Sequence, residues 1–293
     1  MELDTTDLPL QMQIHYFSDI SSKRRMNQDN FYICGYSNSF SASSVADCVK
    51  ADTQPLQAIA LFDGMGGESS GERASLVAAK TMPVFLSSVG DALQEEQILD
   101  ASQTYHANFM QIIDDYLGDD TSVCGTTFVG VFLQNSHLIP VWLGDSRAYL
   151  LRDRTLYRLT TDHSLAQLKI AQGLLSEEAA KNTHDWHVLT GYMGQSNAAF
   201  SIGIPITLRS GDKIFLCSDG ITDYYTDEEL LTILSGASSR AIQTLLNMAQ
   251  TEADDNCTAI ITDITSNPLQ TVSQIISRRL SEWQHTFKLR TKK

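Results

Sequence analysis

Four strand-like apolar runs of the sequence each lie next to an aspartate that stands beside a small or turn-forming residue. The four are Asp63 before a glycine, Asp145 between a glycine and a serine, Asp219 before a glycine, and Asp255 before an asparagine. A lone Asp-Gly pair is a common turn and has a purely structural reading. Four carboxylates that converge at strand ends repel one another unless cations neutralise them, and hard oxygen ligands suit Mg²⁺ or Mn²⁺. The recurrence therefore indicates a site for divalent cations.

Two such ions, about 3.5 to 4 Å apart and bridged by one carboxylate, would acidify a shared water and clamp a phosphoryl group. The predicted reaction is metal-assisted hydrolysis of a phosphate ester. Gly64 would leave its backbone carbonyl free to join the coordination sphere. Arginine holds phosphate best because its planar fork is bidentate, and Arg24 and Arg25 are the candidates.

Other kinds of phosphate-binding or metal-binding site are excluded because residues that they require are absent from the sequence. Gly64-Met65-Gly66-Gly67 lacks the lysine of a phosphate-binding P-loop, and Met65 stands where an aspartyl-phosphate phosphatase needs its second aspartate. The sequence contains neither a calcium loop of alternating ligands nor a His-Glu-x-x-His zinc motif.

The elements that must position these carboxylates are short strands and amphipathic helices. Strands are predicted over Ile14–Phe17, Ala58–Phe62, Thr126–Leu133, Leu138–Leu143, Arg147–Leu151, Lys213–Cys217 and Thr258–Ile261, and helices over Glu72–Ser88, Gln94–Leu117, Asp227–Leu234, Ser239–Thr251 and Thr271–Phe287. The turns at residues 144–146 and 152–154 are expected to join three strands as an antiparallel meander, and residues 37–53 to form a loop. Grouped strands followed by grouped helices predict an α+β layered sandwich rather than a parallel doubly wound sheet.

The net charge of the chain limits which kinds of molecule it is expected to bind. The 293 residues carry a formal charge of −14, divided between about +5 in residues 266–293 and −19 in the rest. An acidic protein is a poor binder of nucleic acid or of an anionic membrane, so neither is expected as a partner. Five cysteines without a C-x-x-C pair indicate free thiols, and the absence of a signal-like N-terminus leads us to expect a cytoplasmic protein.

Seven motifs, in order, resemble those of the metal-dependent Ser/Thr protein phosphatases of type 2C, in their bacterial form. They are Arg24-x-x-Asn27-Gln28-Asp29, residues 61–67 (LFDGMGG), residues 125–127 (GTT), residues 144–149 (GDSRAY), residues 161–164 (TDHS), residues 217–220 (CSDG) and residues 255–258 (DNCT). The resemblance implies a four-layer αββα sandwich of two antiparallel sheets flanked by helices. It also implies a catalytic domain over residues 1–265 with a flap at about 164–200, followed by a basic helical tail over 266–293.

The resemblance also assigns roles to individual residues. Asp63 would bridge two Mn²⁺ or Mg²⁺ ions, with the Gly64 carbonyl on one and Asp219 and Asp255 on the other. The phosphate-binding arginine would be Arg24, with Arg25 a solvated neighbour, and Asp29 would orient a metal-bound water. Asp145 would help to hold a third metal; the alternative is a turn aspartate that caps the meander.

Departures from the family pattern leave some roles open. Met65 replaces a histidine that is a possible general acid in many animal members, which leaves the proton donor unassigned. His163 is a candidate for that donor, and a structural role beside Asp162 is the alternative. Gln28 replaces a glutamate of many relatives and so removes one negative charge near the metals. The expected function is hydrolysis of phosphoserine and phosphothreonine in proteins by a hydroxide that bridges two metal ions.

The expected partners are phosphorylated proteins and a cognate Ser/Thr kinase, and the expected state is a monomer. A catalytically silent phosphatase-fold module that binds or senses a partner is the alternative, although such members usually lose metal aspartates or the arginine. The basic tail is expected to be a helix end packed through its apolar residues, with a docking arm for an acidic partner as the other reading.

Overall fold

Two antiparallel sheets pack face to face and are covered on both outer sides by helices in the computed structural model, which describes residues 10–38, 44–66, 70–90, 93–118 and 124–266. The first sheet contains β1 (Leu10–Asp19), β4 (Val45–Asp52), β9 (Arg147–Arg152), β10 (Thr155–Arg158), β13 (Lys213–Cys217) and β14 (Cys257–Ser266). The second contains β2 (Asp29–Ile33), β3 (Tyr36–Ser37), β5 (Gln57–Gly66), β6 (Cys124–Thr126), β7 (Phe128–Gln134), β8 (His137–Leu143), β11 (Ser201–Ile202) and β12 (Ile206–Thr207). The four-layer αββα sandwich predicted from the sequence is confirmed.

The helices are α1 (Ser70–Val89), α2 (Glu95–Leu117), α3 (Leu165–Ala171), α4 (Glu177–Ala180), α5 (Asp219–Thr222), α6 (Asp227–Leu234) and α7 (Ser238–Thr251), with a 3₁₀ turn at His184–His187. None of the described helices combines the length and apolar character that crossing a lipid bilayer requires. The helix predicted over Thr271–Phe287, and with it all of the basic tail except Ser266, lies outside the described residues.

Side-chain alternation along the strands builds the layers. On β5, Ile59 and Leu61 point into the apolar core between the sheets, whereas Ala60 and Phe62 point toward α1 and α2. On β13, Phe215 faces the opposite way, into a core shared with α6 and α7. Because both faces of these strands are buried, their sequences read as continuous apolar runs rather than as alternating ones.

The predicted meander is wrong at its first turn. β8 pairs with β7 and lies in the second sheet, whereas β9 pairs with β10 and β13 and lies in the first, so the segment Gly144-Asp145-Ser146 crosses from one sheet to the other. The turn at residues 152–154 does join paired neighbours, β9 and β10. Asp145 therefore lies in the segment that crosses from one sheet to the other and does not cap a hairpin.

The loop predicted over residues 37–53 is also wrong for Val45–Asp52, which form the edge strand β4 paired with β1. Only Val45, Val49 and Ala51 pack partly against the core, and the other face of the strand is polar. An edge strand with so few packed apolar residues lacks the alternation of apolar and polar residues from which a strand is predicted.

Candidate metal centre

The strand register brings the acidic residues to one end of the sandwich. Asp29 opens β2 directly opposite Asp63 of β5, and the Cys217–Arg147 and Cys217–Ala259 pairs align the strand ends that lead to Asp219, Asp145 and Asp255. Asp63, Asp145, Asp219 and Asp255, with Gly64 and Arg24, line a cavity of about 750 Å³. Asp29 does not line it and is only 1% exposed. The residues singled out from the sequence therefore converge, six on the cavity wall and one buried nearby.

The backbone around Asp63 is held by threonine hydroxyls at the break between β6 and β7. The Asp63 amide donates to Thr127 Oγ1 at 3.0 Å, and Thr126 Oγ1 donates to the Asp63 carbonyl at 2.9 Å. Thr127 Oγ1 also bonds Ser146 Oγ at 2.8 Å, which links this strand to the crossover that carries Asp145. These contacts use backbone groups of Asp63 and leave its carboxylate for the cavity.

Two glycines are required by close packing. A Cβ on Gly64 would lie 2.1 Å from the Gly71 carbonyl oxygen at the start of α1, and a Cβ on Gly220 would lie 2.2 Å from the Asn256 carbonyl oxygen. The sequence suggested Gly64 as a residue that leaves its carbonyl unobstructed. The structure adds a different reason, since any side chain there would force α1 away from β5.

Asp29 is buried with one oxygen satisfied and one without a partner. Its Oδ2 accepts a hydrogen bond from Ser218 Oγ at 2.9 Å, whereas Oδ1 is buried without any hydrogen-bond partner among the described residues. Asp219 Oδ1 is likewise buried and unpartnered. Unsatisfied buried carboxylate oxygens are costly in a folded protein and mark a place where a cation or a water belongs.

Burial and mutual repulsion raise the pKa values of these carboxyls. Burial raises the pKa of Asp63 well above its ordinary value of 3.8, and the charges of Asp29 and Asp219 raise it further. Burial, with the neighbouring Asp255 and Asp219, raises the pKa of Asp29 to about 7, and burial together with nearby carboxylates raises that of Asp219 to about 6. Burial is also the main cause that raises the pKa of Asp145. Divalent cations would relieve this repulsion, so the donor set fits Mg²⁺ or Mn²⁺.

Arg24 lies at the mouth of the cavity, where its Nη2 donates to Asp255 Oδ2 at 2.6 Å. The loop that carries it is clamped by Asn256, whose Oδ1 accepts from the Gln28 amide at 2.8 Å and whose Nδ2 donates to the Met26 carbonyl at 3.0 Å. Asn256 thus fixes the positions of Arg24 and Asp255 relative to each other. Asn256 belongs to the motif at residues 255–258, but the motif alone predicts no role for it.

His163 is held in the wall of the sandwich and does not line the cavity. Its Nδ1 accepts from the Gly144 amide at 3.2 Å, and its Nε2 lies 3.0 Å from Ser201 Oγ. Burial also lowers its pKa. With both ring nitrogens engaged, the structural role fits this histidine and the role of proton donor does not.

A second group of residues at the cavity was not predicted from the sequence. Trp186 of the flap donates from Nε1 to Asp223 Oδ1 at 3.0 Å, and its ring lies over the Arg147 guanidinium, 5.4 Å from Cζ to the ring centroid. Arg147 is itself buried in an ion pair with Asp162 at 2.7 Å. The one available signal was that Asp223 follows Asp219 by four residues, which is the spacing of neighbours on one helix face.

The fold and the site together define a class: an αββα sandwich whose strand ends bring together carboxylates that suit hard divalent cations, with an arginine at the mouth of the cavity. The family model for protein phosphatase 2C matches residues 22–262. The chain belongs to the protein phosphatase 2C family, as the sequence motifs predicted.

Individual relatives agree with this assignment. A putative protein phosphatase 2C-type of Streptococcus pyogenes is 30% identical over 237 residues, which cover 78% of this chain and 86% of that protein. The serine/threonine phosphatase stp of Listeria welshimeri is 28% identical over 223 residues, covering 72% and 85%. The predicted enzyme class, a protein serine/threonine phosphatase, is confirmed.

Solved structures share the fold. The serine/threonine phosphatase PstP/Ppp of Mycobacterium tuberculosis superposes with a TM-score of 0.71 at 23% identity, over 88% of this chain and all of that one. A catalytic domain of PstP in complex with two manganese ions superposes with a TM-score of 0.66 at 24% identity, over 87% of this chain and all of that one.

Proposed function

We propose that this chain hydrolyses phosphoserine and phosphothreonine in proteins with two Mn²⁺ or Mg²⁺ ions held by Asp63, the Gly64 carbonyl, Asp219 and Asp255. The observation that carries the proposal is the convergence of these groups, from separate strand ends, on one cavity that also has Arg24 at its mouth. In this proposal Asp63 would be the carboxylate shared by the two ions, and Asp145 would help to hold a third. The bound ions supply Lewis-acid activation of the attacking water and neutralise charge on the phosphoryl oxygens.

The chain's own residues bind and orient the reactants. The Arg24 guanidinium donates a planar pair of hydrogen bonds to the phosphoryl group, and its contact with Asp255 keeps it beside the carboxylates. Asp29 is anchored by Ser218 Oγ and lies opposite Asp63, behind the cavity wall, and its Oδ1, which has no hydrogen-bond partner among the described residues, would orient the attacking water from there. In-line attack expels the seryl or threonyl oxygen, which must take up a proton, and His163 does not supply it because it stands away from the cavity.

Asparagine substitutions at the metal aspartates test the proposal. D63N and D219N should each lower Mn²⁺-stimulated hydrolysis of a phosphothreonine peptide by roughly a hundredfold or more, because each removes a charged ligand with little change of volume. D153N is the matched control: Asp153 lies in the exposed β9–β10 turn at φ 51°, a conformation that asparagine tolerates. Full activity of D63N would refute the assignment.

The same assay separates the enzyme from the silent binding module, because a module of that kind would show no Mn²⁺-stimulated turnover in the unmodified chain. We further propose that the chain acts as a cytoplasmic monomer on phosphorylated proteins, opposite a cognate Ser/Thr kinase. Deleting residues 269–293 tests the docking-arm reading of the tail, since unchanged binding to the purified kinase would rule the arm out.

A further inference from the structure

A groove in the outer helical layer, between α1 and α2, leaves apolar side chains in contact with solvent. The groove has a volume of about 370 Å³, and its walls include Val84 of α1 and Ile112 of α2. Val84 is 54% exposed, Ile112 is 36% exposed, and Tyr116, one helical turn beyond Ile112, is 45% exposed. A contiguous exposed apolar surface of this kind marks a place where another apolar surface docks. A groove between two helices is suited to the apolar face of a third helix.

The α2 side of this groove is acidic and lacks a compensating cation. Five residues of α2 are acidic, and none is lysine or arginine. The five are Glu95, Glu96, Asp100, Asp114 and Asp115, and none of them forms an ion pair within the described part of the chain. Arg73 of α1 is engaged with the Tyr116 ring instead, with Cζ 4.9 Å from the ring centroid. Since Asp114 and Asp115 stand in the last turn of α2, where the helix dipole favours cations, a basic partner at this end would stabilise the helix.

The C-terminal tail, residues 267–293, has the composition that such a partner needs. It lies outside the described residues, and its sequence predicts a helix over Thr271–Phe287. Apolar residues recur in that helix at spacings of three and four, which places them on one face. They are Val272, Ile276, Leu280, Trp283 and Phe287. The tail also carries six basic residues and one acidic residue, a net charge of +5 that complements the five carboxylates of α2.

The tail starts at the end of the sandwich where α2 begins. Ser266, the last residue of β14, pairs with Leu10. Thr53 joins this strand end to the β7–β8 turn, because its Oγ1 accepts from the Leu10 amide and its carbonyl accepts from the Asn135 amide. Gln134 Oε1, at the same turn, accepts from the amide two residues before α2. The six steps of chain from Ser266 to the first apolar residue of the tail span up to about 20 Å, the depth of two stacked layers of about 10 Å each.

We propose that residues 267–293 dock as an amphipathic helix in the groove between α1 and α2 and run parallel to α2. In this orientation the apolar face of the tail covers Val84 and Ile112. The basic residues at its C-terminal end then meet Asp114 and Asp115 at the end of α2. Docking ties the last strand of the first sheet to the helices that cover the second. The proposal uses no residue of the candidate metal centre and does not rest on the proposed function.

Carbodiimide cross-linking of the full chain, followed by peptide mass spectrometry, tests the docking. The reagent joins a lysine amine to a carboxylate that it contacts, forming an amide bond, and takes up the released water as a urea. We expect links from the lysines of residues 288–293 to Asp114 or Asp115. The tail variant I276D/L280D should lower the yield of these links by about fivefold or more, since it removes two apolar contacts. Q274D/S281D is the matched control, because it adds the same two charges on the opposite helix face and should leave the yield unchanged.

A substitution in the groove tests the other side of the contact. V84K should lower the yield of the tail links as I276D/L280D does, because the lysine replaces an apolar contact and repels the basic tail. Val84 is half exposed, so the change leaves the core intact. I204K is the control, since Ile204 is exposed and lies outside the groove. A mixture of isotopically light and heavy chains separates links within one chain from links between two.

Three outcomes would overturn the proposal. The first is an absence of links between the tail and α2, or links from the tail to acidic residues elsewhere. The second is links that join only different chains, which would assign the groove to a second copy. The third is a yield that V84K and I276D/L280D lower no more than their controls do. None of these outcomes depends on whether the chain hydrolyses a phosphopeptide.

Discussion

Replacing Asp29 with asparagine should stabilise the metal-free protein at neutral and alkaline pH. Asp29 is buried among carboxylates, with only one of its oxygens hydrogen bonded to Ser218. Asparagine keeps an acceptor for the Ser218 hydroxyl and places an amide NH₂ at the position of Oδ1, which none of the described residues contacts with a hydrogen bond. The substitution therefore removes a buried charge without removing the existing hydrogen bond.

The magnitude follows from the pKa. Burial, and the charges of Asp255 and Asp219, raise the pKa of Asp29 from 3.8 to about 7. At about 1.4 kcal/mol for each pH unit, this difference destabilises the fold by about 4 kcal/mol once the carboxyl is ionised. Since the other carboxylates remain and share the repulsion, we expect D29N to recover about half of that, or about 2 kcal/mol. For a domain of this size that is roughly 4 to 8 °C in Tm.

The pH dependence has a defined sign. The pKa of Asp29 is higher in the folded state than in the unfolded state, so between about pH 4 and pH 7 the folded state binds more protons. The metal-free protein should therefore lose stability as the pH rises through this range. The advantage of D29N should be absent at pH 4, grow through the range, and be complete at pH 8.

Urea denaturation in EDTA, at pH 4 and pH 8, measures the free energy of unfolding of D29N and the unmodified chain. D153N serves as the control and should stay within about 0.5 kcal/mol of the unmodified chain at both values. Saturating Mn²⁺ should reverse the advantage, because the neutral amide no longer attracts the ions. The reasoning is refuted if D29N gains nothing at pH 8, or gains the same amount at pH 4.

Two further substitutions test the packing around the site and the flap. G64A should cost about 1 to 3 kcal/mol in urea denaturation and most of the Mn²⁺-stimulated turnover, because its Cβ meets a carbonyl oxygen at 2.1 Å. G236A, where the nearest atom is 3.6 Å away, should be nearly neutral, and equal losses in both would contradict the packing argument. W186F should retain a ring over Arg147 but lose the hydrogen bond to Asp223, so KM for a phosphopeptide should rise severalfold while turnover of a small aryl phosphate changes little. Equal changes for both substrates would count against a flap role for Trp186.

Local patterns in the sequence were sufficient for the elements that are buried on one or both faces. The apolar run at Ala58–Phe62 lies within β5, and the periodic stretch at Gln94–Leu117 matches α2 to within one residue. Their periodicity is set by which faces meet the core, so it can be read without knowing the partner element. The edge strand Val45–Asp52 was not predicted because half of its surface faces solvent, which leaves no clear apolar alternation in its sequence.

The acidic residues at strand ends were likewise identifiable from the sequence alone. Asp63, Asp145, Asp219 and Asp255 each stand beside an apolar run, and a chain that gathers strand ends must gather these carboxylates. Their roles as ligands stay predictions. Local patterns do not show that Asp29 pairs with Asp63, because this depends on the register between two strands. Nor do they show that one oxygen of Asp29 and one of Asp219 are buried without a hydrogen-bond partner among the described residues, because this depends on how deeply each side chain lies in the fold.

The sequence by itself determined the class of fold, the family and the set of aspartates, because these follow from residue types at fixed spacing along the chain. Only the tertiary structure decided that residues 144–146 cross between sheets and that the flap turn with Trp186 and His187 reaches Asp223. Strand pairing and flap contacts join residues that lie far apart in the chain. Their free energy depends on the packing of the whole sandwich, so the same local turn is compatible with a hairpin or with a crossover.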